Sequence, residues 1–270
     1  MSRVFPYTAI AKGALPTKDD FEATLQMMRK RFASPAFEAV LYFGSVLRHD
    51  SVATSDIDCI VVYDWKRNSN AFSVMAELTE SAWEHHVPLQ LIPFDSEMAA
   101  LGYHTIGEDF GHHLRWAATR GGVLKGDPLS HFSFHSSVEN VRGYVASKLT
   151  SIQKAYIRHS TMGQGERLQF LAKVFDVPSY LARKVLWMKG HHLEVDSKEQ
   201  VGKRYLECFP ELAPLFQRVI GVKRDYERRV CSREKITEDA YRSWLVGIRE
   251  RTVPQVLEFL RGNALVLGPA

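Results

Sequence analysis

Two short clusters of residues carry the chemistry of this chain. Gly44-Ser45 follows the apolar run FEAVLYF at 37–43, and ten residues later Asp56-Ile57-Asp58 opens a second apolar run, IDCIVVY at 57–63. A strand that ends in Gly-Ser and turns into a helix presents backbone N–H groups at the helix N-terminus, where the dipole favours negative charge. Gly44 lets the backbone approach an anion and Ser45 adds a hydroxyl donor, so phosphate suits this pair. Asp56 and Asp58 alternate along a strand, which puts both carboxylates on one face with about 7 Å between their Cα atoms. Mg²⁺ takes oxygen ligands, keeps several waters and is commonly held by one or two carboxylates together with substrate phosphates. The two clusters together predict a triphosphate gripped from both sides, by donors from Gly44 and Ser45 and by metal on Asp56 and Asp58.

Gly-Ser, ten residues and Asp-x-Asp resembles the signature of the polymerase-beta-type nucleotidyltransferase superfamily, and the longer run GSVLR…TSDIDCIVV resembles its minimal and antibiotic-modifying branches. The likeness covers roughly residues 35 to 130 by motif and element order. It implies transfer of a nucleoside monophosphate, most simply AMP, from ATP or another NTP to an acceptor hydroxyl, with release of pyrophosphate. Mg²⁺ or Mn²⁺ would serve as two ions about 3.5 to 4 Å apart, one lowering the acceptor's pKa and one bridging the triphosphate. Arg48 matches an arginine often present in the family pattern; one turn into the helix, it suits a phosphate contact or a surface ion pair equally.

The family carries a third acid on the next strand, which here reads VPLQLIPF at 87–94 and aligns Gln90 with that position. A glutamine can ligate through its carbonyl oxygen but cannot take a proton as a carboxylate does. Three readings stay open: Asp95 at the strand's end supplies the acid, Glu108 or Asp109 of IGEDFGHH supplies it, or the protein is a nucleotide-binding regulator with weak or no turnover. Acids at a helix N-terminus also favour the dipole, which alone would account for Glu108 and Asp109.

These residues need an α+β scaffold. The apolar runs 37–43 and 57–63 read as buried strands, 74–85 as a helix, and 87–94 as an edge strand because of its two prolines. A helix around 112–119 leads into GGVLKGDPL, a turn, short strand and exit loop. Beyond Ser136 the period changes: Val138, Val141, Val145, Leu149, Ile152 and Tyr156 form one stripe on a helix of about five turns. Further stripes at 168–175, 181–188, 212–226 and 241–260, with Pro178, Pro210 and Pro254 as breaks or kinks, predict an all-α helix bundle. The expected division is a nucleotidyltransferase domain over 1–130 and a helical, acceptor-binding domain over 131–270.

Charge supports a division of labour. Lys and Arg against Asp and Glu give 12 − 16 = −4 up to Ser130 and 23 − 15 = +8 after it, for the whole-chain +4. Arg218, Lys223, Arg224, Arg228, Arg229 and Arg233 lie on one helix with Tyr226, a pattern that could meet RNA phosphates, although no RNA-binding motif accompanies it and RNA is not the favoured partner. No apolar run reaches the roughly 18 to 20 residues of a membrane span, the N-terminus shows no signal-peptide core, and three scattered cysteines fit reduced thiols; a cytoplasmic protein is expected. Among eleven histidines only His131 and His135 have i, i+4 spacing, without a zinc-site context. Arg115 and Lys125 are basic side chains suited to a nucleotide phosphate or simply to solvent.

Overall fold

The computed structural model describes residues 4–6, 15–52, 54–68, 70–158, 161, 164–192 and 197–268. The fold is α+β, and the chain divides into two compact units, Ala14–Ser136 and Met1–Gly13 with Ser137–Ala270. Strand β1 (Val4–Pro6) belongs to the second unit, because it pairs antiparallel with β6 (Lys235–Thr237).

The middle unit begins with α1 (Lys18–Phe32), opened by a capping box in which Thr17 accepts from the Asp20 amide while the Asp20 carboxylate accepts from the Thr17 amide. Then follow β2 (Phe37–Phe43), the four-residue α2 (Ser45–Arg48), β3 (Ile57–Tyr63), α3 (Ala71–Glu84), β4 (Leu89–Asp95), α4 (Ser96–Ala100), α5 (Glu108–Thr119) and β5 (Val123–Lys125). The sheet order is β4-β3-β2-β5, with β3 and β4 parallel and the other pairs antiparallel. Strands β2 and β3 are buried at every position except Glu38 and Asp58. That burial is why both read as near-continuous apolar runs, and it requires cover on both faces of the sheet. Phe32 meets Phe37 edge-to-face at 5.0 Å, anchoring α1 at one end of β2, while Phe110 of α5 meets Phe43 at 5.3 Å at the other end.

The unit extends to Ser136, within the stretch 126–136 where Gly, Pro, Ser and His interrupt both patterns and the boundary is expected, because the end of that stretch packs back on it. Phe132 joins the sheet's core, the His135 amide donates to the Ile106 carbonyl, and the Glu108 amide donates to the His135 carbonyl. The His104 and His135 rings lie 4.7 Å apart, and the Ile106 amide donates to His104 Nδ1 at 3.1 Å, which requires that nitrogen to be unprotonated. Burial, and then the charge of His135, hold His104 below its ordinary 6.5. The unfolded chain therefore binds this proton more readily, and the contribution is complete above about pH 6.5 and lost as pH falls below it. The thermal midpoint should drop between pH 7.5 and 5.0, and His104→Asn, which keeps an acceptor for Ile106 but does not titrate, should drop less over the same range.

The second unit carries β1, α6 (Ser137–Arg158), α7 (Gln164–Met188), α8 (Lys198–Cys208), α9 (Ala213–Cys231), β6, α10 (Glu238–Gly247), a π turn at Ile248–Thr252 and α11 (Val253–Leu267). It is helical but not all-α as expected, since β1 and β6 form a two-stranded ladder. Pro178 does not break its helix: α7 runs through it, with Val177 and Leu181 buried on either side, so packing of the apolar stripe outweighs the lost hydrogen bond. Pro254 falls in the first turn of α11, where proline suits the helix.

In this unit's core the Tyr205 hydroxyl donates to Asn263 Oδ1 at 2.8 Å, and Asn263 Nδ2 donates to the Phe259 carbonyl. Both residues are fully buried. Tyr205→Phe leaves the amide oxygen short of a donor in the core and should cost about 1–3 kcal/mol, read from chemical denaturation. Among the described residues no helix is long and apolar enough to cross a membrane.

Candidate functional site

Strand β2 ends at Phe43, and Gly44 turns the chain into α2 with φ 89° and ψ −157°, a region that glycine alone occupies without strain. A Cβ placed on Gly44 would lie 2.9 Å from Asp58 Oδ2. The Asp58 carboxylate thus sits directly against the Gly-Ser turn, so two motifs separated by ten residues meet at one point. The sheet register produces this meeting, because Phe43 is the cross-strand partner of Asp58. Asp56 is half-buried just before β3, one position short of the ladder. The turn before it is fixed by Ser55, whose amide donates to the Val52 carbonyl and whose hydroxyl accepts from the Val52 amide.

Helix α2 is a single turn closed by His49 in the left-handed conformation, whose amide donates back to Val46. Arg48 is mostly buried and its Nε donates to Asp50 Oδ2 at 3.1 Å. Of the two roles open to it, the structure shows the ion pair, which fixes the shape of the loop after the Gly-Ser turn.

The sites suggested for a third acid separate clearly. Gln90 is the register partner of Asp58 on the adjacent parallel strand, so the two side chains leave the same face of the sheet as neighbours. Asp95 pairs with Tyr63, five positions further along both strands and therefore about 16 Å away. Its carboxylate is used locally: one oxygen accepts from the Met98 amide at the start of α4, the other from the Trp65 amide. Asp95 is thus excluded as a partner of Asp58, and a shallow depression lined by Tyr63, Trp65, Lys66, Asp95, Glu97 and Met98 lies at this opposite end of the strands.

Glu108 and Asp109 occupy the first turn of α5, Glu108 exposed and Asp109 buried. Helix α5 does flank the site, since Phe110 and His113 both contact the Phe43 ring, His113 at 5.8 Å. Among the described residues, however, no three His, Cys, Asp or Glu side chains group closely enough to hold a metal ion. Of the Asp-x-Asp motif, Asp58 stands against the Gly44 turn and Asp56 lies half-buried just before β3. The Asp58 carboxylate, an oxygen ligand beside a glycine with no Cβ in the way, suits in kind a hard divalent cation such as Mg²⁺ or Mn²⁺ carried by a phosphate ligand.

His113 escaped the sequence reading because it stands in an adjacent histidine pair, and only the helical phase of α5 selects it as the member facing Phe43. Cys59, next to Asp58, is fully buried; burial and then the Asp58 charge push its thiol far above the ordinary range, so it is an inert core residue. Lys125 donates to the Ser34 carbonyl at the end of α1, and the Arg115 guanidinium lies 4.9 Å from the Phe134 ring centre, so both have structural contacts. His131 faces Glu38 at 3.7 Å while His135 bonds the His104 carbonyl, so the i, i+4 pair is divided between different partners.

Three of the six basic side chains singled out between 218 and 233 are paired with carboxylates within their own unit, and Arg233 lies past the end of α9 at Cys231. Arg228 and Arg229 both pair with Asp225 and Glu234, and Lys223 pairs with Asp176 and Glu227. These side chains are committed to carboxylates, which weakens the case for RNA phosphates. No protein-family model matches the chain, and no curated protein is significantly similar to it.

Proposed function

We propose that this protein is a divalent-cation-dependent nucleotidyltransferase that moves a nucleoside monophosphate, most simply AMP, from an NTP to a hydroxyl of a small-molecule or macromolecular acceptor, releasing pyrophosphate. The supporting observation is the contact between the Gly44 turn and the Asp58 carboxylate, held by the pairing of Phe43 with Asp58. In this reading the turn at Gly44 and Ser45 binds the β and γ phosphates, with the backbone close because no side chain intervenes. Asp56 and Asp58 hold the cation, which when bound neutralises triphosphate charge. The α5 residues Phe110 and His113 wall the site beside Phe43 and limit water. Recognition of the acceptor is assigned to the helical unit, and a cytoplasmic setting belongs to the same proposal.

A second reading, a nucleotide-binding regulator with weak or no turnover, is favoured by one observation: Gln90, not a carboxylate, stands beside Asp58. Label transfer separates the two. Each α-³²P NTP, with Mg²⁺ or Mn²⁺, is incubated with the protein and either a deproteinised cell extract or total RNA. Label in a new species together with pyrophosphate supports the transferase and shows which pool holds the acceptor. Tight cation-dependent NTP binding without label supports the regulator.

A further inference from the structure

We infer that Lys198 is an acylation site, an exposed amine poised to react with acyl thioesters. Three helices of the second unit meet around it. Asp176 of α7 faces two lysines with the same oxygen, Oδ1: Lys223 of α9 at 2.5 Å and Lys198, at the start of α8, at 3.8 Å. Lys223 also reaches Glu227 at 3.7 Å. The buried Lys223 thus takes the near side of Asp176 and a second carboxylate, whereas the Lys198 side chain is 58 % exposed and is left with the longer contact.

Three features of this arrangement favour the neutral form of Lys198. Its ammonium end is drawn into the cluster and away from bulk water, and Lys223 sets a second positive charge beside it. As the first residue of α8, after the cap Ser197, it also stands where the helix dipole disfavours a cation; Glu199 is the acid of the same turn. Desolvation first and the Lys223 charge second hold Lys198 below its ordinary 10.5, against the opposite pull of Asp176 and Glu227. Lys223 moves the other way: its burial opposes the charge, but Asp176 and then Glu227 outweigh that and raise it. A neutral lysine amine beside another cation is an activated nucleophile. The Lys198 Nζ lone pair attacks the thioester carbonyl carbon, the C–N bond forms, the C–S bond breaks, and the thiolate leaves and takes up the proton that the nitrogen releases. Acylation removes a charge that the helix terminus disfavours and leaves the pair of Lys223 with Asp176 in place, so the fold does not oppose it.

The test incubates the protein with acetyl-coenzyme A and reads chymotryptic peptides by mass spectrometry. Lys66 is the comparison: its side chain is 74 % exposed, but its hydrogen bond to Glu97 holds it protonated, above the ordinary value. At about pH 8, where ordinary lysines are protonated, acetylation of Lys198 is expected to run severalfold faster than that of Lys66, and its rate should level off at a lower pH. Lys223→Met, which leaves Asp176 to Lys198 alone, should slow Lys198 severalfold without changing Lys66. Equal rates at the two lysines of the natural protein would overturn the inference, and so would a folded Lys223→Met in which Lys198 keeps its rate. If that variant does not fold, the pH profile of the natural protein decides: a Lys198 rate that levels off no lower in pH than that of Lys66 overturns the assignment.

Discussion

Replacing Asp56 and Asp58 together by asparagine is expected to weaken cation-dependent NTP binding by more than about 100-fold, beyond the roughly 10–100-fold that loss of a mere outer-shell partner of a metal costs. The same double variant should fold as well as the natural protein. Both side chains are only half-buried, and asparagine keeps the shape of each carboxylate without its charge. Calorimetric titration of ATP with and without Mg²⁺, alongside thermal unfolding, reads both effects. Affinity that stays cation-dependent and unchanged would sink the assignment of these residues, and an unfolded variant would show that the pair is structural. Asp95→Asn serves as the contrast: it should leave binding intact, because its carboxylate works at the far end of the strands.

The largest expected effect on stability comes from a residue remote from the motifs in sequence. Gly122 lies between β2 and α5: its carbonyl accepts from the Tyr42 amide and its own amide donates to the Ala117 carbonyl. A Cβ there would meet the Tyr42 carbonyl oxygen at 2.4 Å and the Ala117 carbonyl oxygen at 2.8 Å. Both obstacles are backbone in regular elements, so relief requires pushing the end of β2 away from α5. Gly122→Ala should cost about 3 kcal/mol, the upper part of the range for overpacking a well-packed interior. Because Tyr42 is two residues from Gly44, the variant should also weaken NTP binding even under conditions where it is folded. Stability from urea unfolding and affinity at low temperature separate the two consequences.

Much of the architecture was legible in local sequence. Runs such as FEAVLYF and IDCIVVY read as buried strands, and the stripe from Val138 to Tyr156 as a helix, because period and apolarity are local properties of the chain. Pro178 does not end its helix because its penalty is local while the packing of Val177 and Leu181 that outweighs it is not. The second unit's ladder was hidden for a similar reason: β1 and β6 are three residues each and more than 200 positions apart, too short for a pattern and too distant for a turn signal. The boundary falls at the end of the interrupted stretch 126–136 because Phe132 and His135 find their partners in the earlier unit.

Residue type and spacing alone single out Gly44, Ser45, Asp56 and Asp58 as candidate phosphate and cation ligands. Tertiary structure decided which of them meet. Pairing Phe43 with Asp58 brings the carboxylate to the glycine turn, and pairing Asp58 with Gln90 sets an amide beside that carboxylate. The same register carries Asp95 to the opposite end of the strands, although it lies only five residues from Gln90. Residue type fixes what a side chain can bind, but strand register fixes its neighbours, and register depends on backbone hydrogen bonds and core packing summed over the whole sheet.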